Sequence, residues 1–595
     1  MARRSASRKE FGGLPHTAWQ IDMWTDAETQ TCYGCITETD VQEPTQDYLS
    51  KLKPGVMPQL LLRSAVVAFE QFPSSEHTGA NIRDWLRAVA NAKSVVLQDD
   101  LTGICPDGAA DGQCALNLMP ELAEKTDTCH LHQVQRVVLY AIGQAGAQSK
   151  NPECKTLLRK EGRVVTLSRQ SRAVSSSIRD AQITVGIPPH KILTTSSIAA
   201  TRWGGTFMQI EQNHILHPVL HPAVEKYKRE NRGKKDAIVE NDESESTGNN
   251  RVGQAVAASE LGLDLSEWDE GIEMEAFLLR PFQMKELIEK GKKGAGLITG
   301  AQSLMLMHNL KVSNEAQKPL SVKLLPATAS LEDRVRVSEQ RNPDSLGTCV
   351  TTARSVLRTE IQERFFGERP SNSRMVQLHM SKQKKSTAWL PESWRPLAET
   401  LYLRWLRKVS DHLKDSTRQL RSPPNKKPKT SAGSSTLVLF DDDDDGGGRG
   451  SGSDDGHITD ETDEVAIEVE RWKAMSQETI NSFKDQETGM INEFALLWAK
   501  RKEFPLHYFV FKQTASHVPH EAKVEQIFSL GGRLSDPNMN PAYLATLVFI
   551  GSNYKVYMPA KNDIWQRYLR KFSKGGKLLE AELGLASTVP KDTDA

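Results

Sequence analysis

Residues 521–554 read EAKVEQIFSLGGRLSDPNMNPAYLATLVFIGSNY. The apolar spacing predicts a helix with one acid, Glu525, beside its apolar stripe. A second apolar block, LATLVFIGSNYKVYM, follows and suits either a core or an interface. Two acids far upstream are candidates to work with Glu525. Asp22 lies in the apolar segment AWQIDMWTD, and Asp107 lies in ICPDGAA. Three carboxylates that could share one metal site therefore sit at opposite ends of the chain. Short apolar runs alternating with helical periodicities predict an α/β class.

The chain has 595 residues, 38% hydrophobic and 26% charged, room for roughly two to four domains with a substantial core. Lys plus Arg and Asp plus Glu both number 76, so there is no global basic signature for nucleic acid. Charge is segregated instead: acids at 441–445 and 454–470 offset basic stretches at 382–385 and 404–429. Seven cysteines, sparse and odd in number, argue against a disulfide scaffold and for a reducing compartment. MARRSASRKEFGG at the start lacks the apolar core of a secretory signal. No run reaches the roughly 18 apolar residues of a membrane span, so no membrane partner is expected.

From Trp19 to Cys35 the pattern predicts a two-stranded hairpin. Residues 54–71 and 82–92 read as helices, 94–97 as a short buried strand, and the Asp-Gly pairs after it as turns. CHLHQVQRVVLYAI (129–142) predicts a helix with Val134, Val137, Val138 and Ile142 on one stripe. Residues 225–253 are too polar to bury a core and read as a linker, while 261–290 and 331–366 read as helical. The clearest break is 421–463, basic then acidic and of low complexity. The expected domains are a tail (1–17), the first part of a core (18–220), a mainly helical insertion (221–420), the low-complexity linker (421–463), final core helices with the C-terminal block (464–560) and a tail (561–595).

Carboxylates brought together can hold divalent ions, and two such ions about 3.5–4 Å apart can activate a water and stabilise a leaving oxygen. Mg²⁺ favours carboxylate oxygen, and acids on strands and helices are held more firmly than acids on loops. Asp22, Asp107 and Glu525 have those settings. Any one acid among 76 is most often a solvated surface charge; what separates Asp22 is its place between Ile21 and Met23. Cys129 and His132, three apart, could form half a zinc site, although a packed core pair is the simpler reading. Cys32 and Cys35 on a strand would point to opposite faces, which disfavours chelation. The run 291–300, GKKGAGLITG, lacks the G-K-[ST] ending of a phosphate loop and reads as a turn. PNKKPK (424–429) looks like a nuclear import signal, which makes a nuclear location the expectation.

In chain order these motifs resemble the catalytic core of hAT-family DNA transposases. Asp22, Met23, Trp24 and Thr25 match the family's D-x-W-T; Asp107, Gly108 and Ala109 match the first part of its D-G-A-x-N; Cys129 and His132 match its C-x-x-H. Thr201, Arg202 and Trp203 match its T-R-W, and Val524 to Gly532 match its S-E-R-x-F-S-x-x-G helix. The resemblance covers roughly residues 18–206 and 465–560. It implies a ribonuclease-H-like mixed sheet with flanking helices, interrupted by a long, mainly helical insertion. Asp22, Asp107 and Glu525 would then be catalytic and would hold two Mg²⁺ or Mn²⁺ ions for DNA cleavage and strand transfer.

The resemblance also implies DNA contacts from Trp24, Arg202 and Trp203, the tryptophans stacking on an extruded base, though each could equally be a core residue. It implies self-association, as a homodimer or higher oligomer, through Phe528, Leu544, Leu547 and Phe549. The expected partners are DNA and a second copy, with no small-molecule substrate. Val524 and Gln526 stand where the family has serine and arginine, SDPNMN (535–540) replaces a basic R-x-R-x-L, and no BED-type zinc finger precedes Asp22. Without those arginines, phosphate-binding groups are missing. The second expectation is therefore a catalytically inactive, dimerising protein that binds nucleic acid or chromatin.

Overall fold

The hairpin expected at Trp19–Cys35 is the centre of a four-stranded mixed sheet in the computed structural model. That structure describes residues 11, 14–74, 76–195, 203–232, 238–240, 254–256, 261–290, 298–325, 336–384, 387–421, 463–486, 488–520, 522–536 and 539–557. Strand β1 (Thr17–Thr25) pairs antiparallel with β2 (Cys32–Gln42), and β3 (Leu61–Gln71) pairs antiparallel with the other edge of β2. Helix α1 (Gly79–Ala92) makes the crossover to β4 (Leu101–Pro106), which lies parallel to β1, as a parallel neighbour requires. The order is β3-β2-β1-β4.

Two expectations fail here for physical reasons. Residues 54–71 were expected to be helical, yet 61–71 are β3. Its side chains are covered on both faces, Val67 and Ala68 on one and Val66 and Phe69 on the other, and a strand buried on both sides loses its alternation. The β2–β3 register also shifts between Ile36 and Thr37, leaving Val67 as an extra residue, a bulge that breaks the period of two. The buried strand expected at 94–97 is instead the turn into β4: Ser94 has a φ of 54°, Leu97–Asp100 is one helical turn, and the strand begins at Leu101.

Helices cover both faces of the sheet. On one, Trp19, Ile21, Ile36 and Ile104 bury against Ile82, Trp85, Leu86 and Val89 of α1 and against Ala115 and Leu116 of α2 (Ala110–Asn117). The opposite face carries Tyr33, Cys35, Val66 and Phe69 and is covered by the C-terminal helices described below.

The chain divides into two units, the first comprising residues 1–129, 290–303 and 369–595, the second 130–289 and 304–368. The second thus starts at residue 130 rather than 221, and the chain has rejoined the first by 369. In the second unit, α3 (His130–Ala141), α4 (Pro152–Gln170), α5 (Arg172–Thr184), α6 (Trp203–Glu230) and α7 (Leu265–Lys290) are followed by α8 (Gly300–Ser313), which straddles the division. The hairpin β5 (Leu320–Leu324) and β6 (Val337–Arg341) precedes α9 (Thr348–Phe366). Residues 337–341 are therefore strand, not the start of the helix expected over 331–366. Val134, Val137, Val138 and Ile142 are buried as their spacing predicts, and α3 packs on α9. That early packing is why the unit begins at α3.

In the first unit the returning chain forms α10 (Asn372–Met380), α11 (Trp394–Arg421), α12 (Glu464–Lys473), α13 (Glu493–Lys500), α14 (Pro505–Thr514), α15 (Ala522–Leu534) and α16 (Pro541–Tyr557). A buried polar network joins these helices to the end of the sheet segment. Asp127 accepts from the Ser371 backbone and hydroxyl, both at 2.7 Å, and from Arg374 Nε at 3.1 Å, while His517 Nδ1 lies 2.9 Å from Ser373 Oγ. Residues 422–462 of the low-complexity linker, PNKKPK among them, and most of both tails lie outside the described residues. Among the described residues no helix is long and apolar enough to cross a membrane.

Candidate active site

Asp22 is placed by the alternation of β1. Trp19 and Ile21 point into the α1 core, so Asp22 projects from the opposite face, the one α15 covers. The parallel pairing of β1 with β4 ends at Ile21 opposite Pro106, and Asp107 extends it by donating its backbone N–H to Ile21 O at 3.3 Å. Asp107 therefore follows β4 on the strand next to Asp22, about 5 Å away at ordinary strand spacing. The Asp107 carboxylate accepts from the Ala109 N–H at 3.0 Å, a local turn that orients it ahead of α2.

Glu525 comes from α15, which three contacts seat on the sheet. Val524, Ile527, Leu530 and Leu534 bury against Tyr33, Cys35 and Phe69. Gly531 lets the helix approach β1, because a Cβ there would lie 3.1 Å from the Trp24 ring. Past the helix end, Ser535 Oγ donates to Asp26 in the β1–β2 turn at 2.5 Å. Burial alone would raise the Asp26 pKa, but the hydrogen bonds from Ser535 and Thr29 hold it below the usual carboxylate range. Glu525 lies on the exposed side of the helix.

The electrostatics tie the three acids together. Asp22 is raised to about 8, first by burial, then by the charge of Asp107, with Glu525 adding to the shift and the hydrogen bond from the Met23 N–H opposing it. Burial likewise pushes the Cys35 thiol well up, with the Asp22 charge contributing. A half-buried carboxyl flanked by two like charges is a site a cation would relieve. In donor type the set suits Mg²⁺ or Mn²⁺. In spacing it is open: among the described residues no three His, Cys, Asp or Glu side chains stand close enough to coordinate one ion.

The remaining candidates separate by place. Trp24 is stacked between Tyr33 and Phe528, with ring centroids 5.5 and 5.9 Å away, so its ring belongs to the junction of sheet and α15. Arg202 lies outside the described residues, and Trp203 is described only as the first residue of α6. Cys129 is buried and precedes α3, which carries His132, and no third ligand joins them among the described residues. Cys32 and Cys35 do face opposite sides of β2, and all seven cysteines are free thiols.

The residues expected at a dimer interface divide by burial. Leu544 and Leu547 are 2% and 3% exposed and pack against α15 and β3 of the same chain, with Phe528 and Phe549 partly buried on the same cluster. Leu544 and Leu547 therefore have no face left for a second copy, whereas Phe528 and Phe549 keep part of their surface. Three anchors had no clear mark in the sequence: Gly531, the Ser535–Asp26 bond, and Asn553, whose amide pairs with the Val66 backbone N–H and C=O at 2.8 and 2.9 Å. The Gly531-Gly532 pair inside a helical pattern was the one signal present. No family model matches this chain, and no curated protein matches it significantly.

Proposed function

We propose that this chain is a metal-dependent phosphodiesterase of the hAT transposase type, built on a ribonuclease-H-like core and acting on DNA. The observation that carries the reading is that Asp107 follows β4 beside Asp22 on β1, on the sheet face covered by the helix that carries Glu525, three acids separated by most of the sequence. The mixed sheet with flanking helices accords with it.

Asp22, Asp107 and Glu525 would hold two divalent ions, which when bound activate a water and stabilise the leaving 3′ oxygen. The chain's own contribution is geometric. Adjacent strands fix Asp22 and Asp107 side by side, and the Ala109 N–H orients the second. Without a cation Asp22 keeps its proton up to about pH 8, so it would give up that proton on becoming a ligand.

The test is nicking of supercoiled plasmid in Mn²⁺ or Mg²⁺, which needs no cognate sequence. Nicking by the native chain that falls roughly 100-fold or more in Asp107→Ala and Glu525→Gln supports the reading. Equal nicking by all three proteins contradicts it. The open spacing of the acids favours a second reading, a non-catalytic nucleic-acid-binding relative, for which no nicking is expected from any of them.

A further inference from the structure

The second unit holds a feature that the carboxylate site does not use. An open basin of about 750 Å³ lies against α4 and α5, with Ile178, Ile192 and Leu193 in its wall and Arg169, Arg179 and Ser175 among its polar lining. Ser168, Thr194, Thr195 and Gln212 complete that lining, which contains no acid. Arg169 stands in the last turn of α4, and Ser175 and Arg179 lie one turn apart on α5. Arg172 occupies the same stripe of α5, three residues before Ser175.

The surroundings reinforce the sign of the charge. Residues 152–195 hold eight lysines and arginines against three acids in a chain whose net charge is zero. One of those acids, Glu161, is 1% exposed and accepts from Asn213 at 2.6 Å, so it does not neutralise the surface. The wall is held in place. The buried Gln182 amide donates to Leu193 O and accepts from Leu193 N–H, both at 2.9 Å. Ser168 Oγ and Thr195 Oγ1 are hydrogen-bonded to each other, and Gln212 donates to Thr194 O. Arginines from two helices, with the Ser175 hydroxyl near them and a hydrogen-bonded wall beside them, suit a chain of phosphates.

We infer that the α4–α5 basin binds the phosphodiester backbone of nucleic acid through Arg169, Arg179 and Ser175, independently of the carboxylate site. The recognised groups are phosphates and not base edges, so binding carries no sequence preference and weakens steeply with salt.

The experiment is fluorescence anisotropy of the full chain with a labelled DNA of about 20 nucleotides and arbitrary sequence, titrated over a range of salt concentrations. Arg169→Ala/Arg179→Ala should weaken binding roughly 10- to 100-fold and flatten the log–log salt slope by about 1 to 2, roughly one unit for each phosphate that is no longer neutralised. Both arginines are exposed, and an unchanged thermal melt checks that the variant is folded. Ser175→Asp, which puts a negative charge in the basin, should weaken binding similarly. Unaltered affinity and slope in both variants would overturn the inference, as would binding of pyrophosphate but not DNA by the native chain. Plasmid nicking is read separately on the native chain and depends on the carboxylates, so a failed basin and a failed carboxylate site give different results.

Discussion

Asp22 concentrates the tension of the molecule in one side chain. In the unfolded chain it ionises near about pH 4, but in the fold it keeps its proton until about pH 8. Between those values the folded state alone holds the proton, so stability falls as pH rises through the window. Asp22→Asn removes that penalty. Its melting temperature should match that of the native chain at about pH 4 and exceed it by several degrees at about pH 8, measured by calorimetry. An equal or lower value at the higher pH would count against the shared environment of the three acids. At this scale the settings of the three acids were legible, Asp22 within a strand, Asp107 at the end of another and Glu525 on a helix. That Asp22 would be the strained member was not, because it depends on the Ile21–Pro106 register and on how closely α15 approaches.

The C-terminal helices show what an apolar pattern can and cannot say. Residues 544–558 read equally as core or interface, and α16 buries Leu544, Ala545, Leu547 and Val548 within the chain. Its Asn553 pairs with the backbone of β3, the edge strand that would otherwise present free hydrogen-bonding groups. Leu547→Ala should cost about 2–5 kcal/mol, the usual range for emptying a buried leucine site, read from urea denaturation. Sedimentation should show the association state unchanged. A variant as stable as the native chain but less associated would restore the interface reading. The helix expected at 54–71 failed for a related reason: burial on both faces and a bulge at Val67 erase the alternation by which β3 could have been recognised.

Across the first unit, stability rests on joining distant segments through buried polar groups. Asp127 is the clearest case. Burial would raise its pKa, yet Arg374 and His517 hold it below the usual range, so its contribution is present above about pH 4 and declines on acidification through the lower folded value. Arg374→Met leaves a buried carboxylate unpaired and should cost about 3–5 kcal/mol near neutral pH. Adding Asp127→Asn should recover part of that stability, and a double variant less stable than the single one would contradict the pairing. The division into units was only partly legible. The low-complexity stretch 421–463 drew attention as a boundary, whereas the chain leaves the first unit at Cys129 within an unbroken run of ordinary sequence, where only the packing of α3 on α9 reveals it.

If Asp22, Asp107 and Glu525 act together on a divalent cation, as proposed, titration of Mn²⁺ into the full chain near neutral pH by isothermal calorimetry should register it. Repeating the titration in buffers of different ionisation heat counts the protons released. Binding should release up to about one proton per chain, because a cation would displace the proton Asp22 holds. Affinity should be roughly tenfold weaker, or more, in Asp107→Asn and in Glu525→Gln. Binding that releases no proton, or that both substitutions leave unchanged, would contradict the proposal.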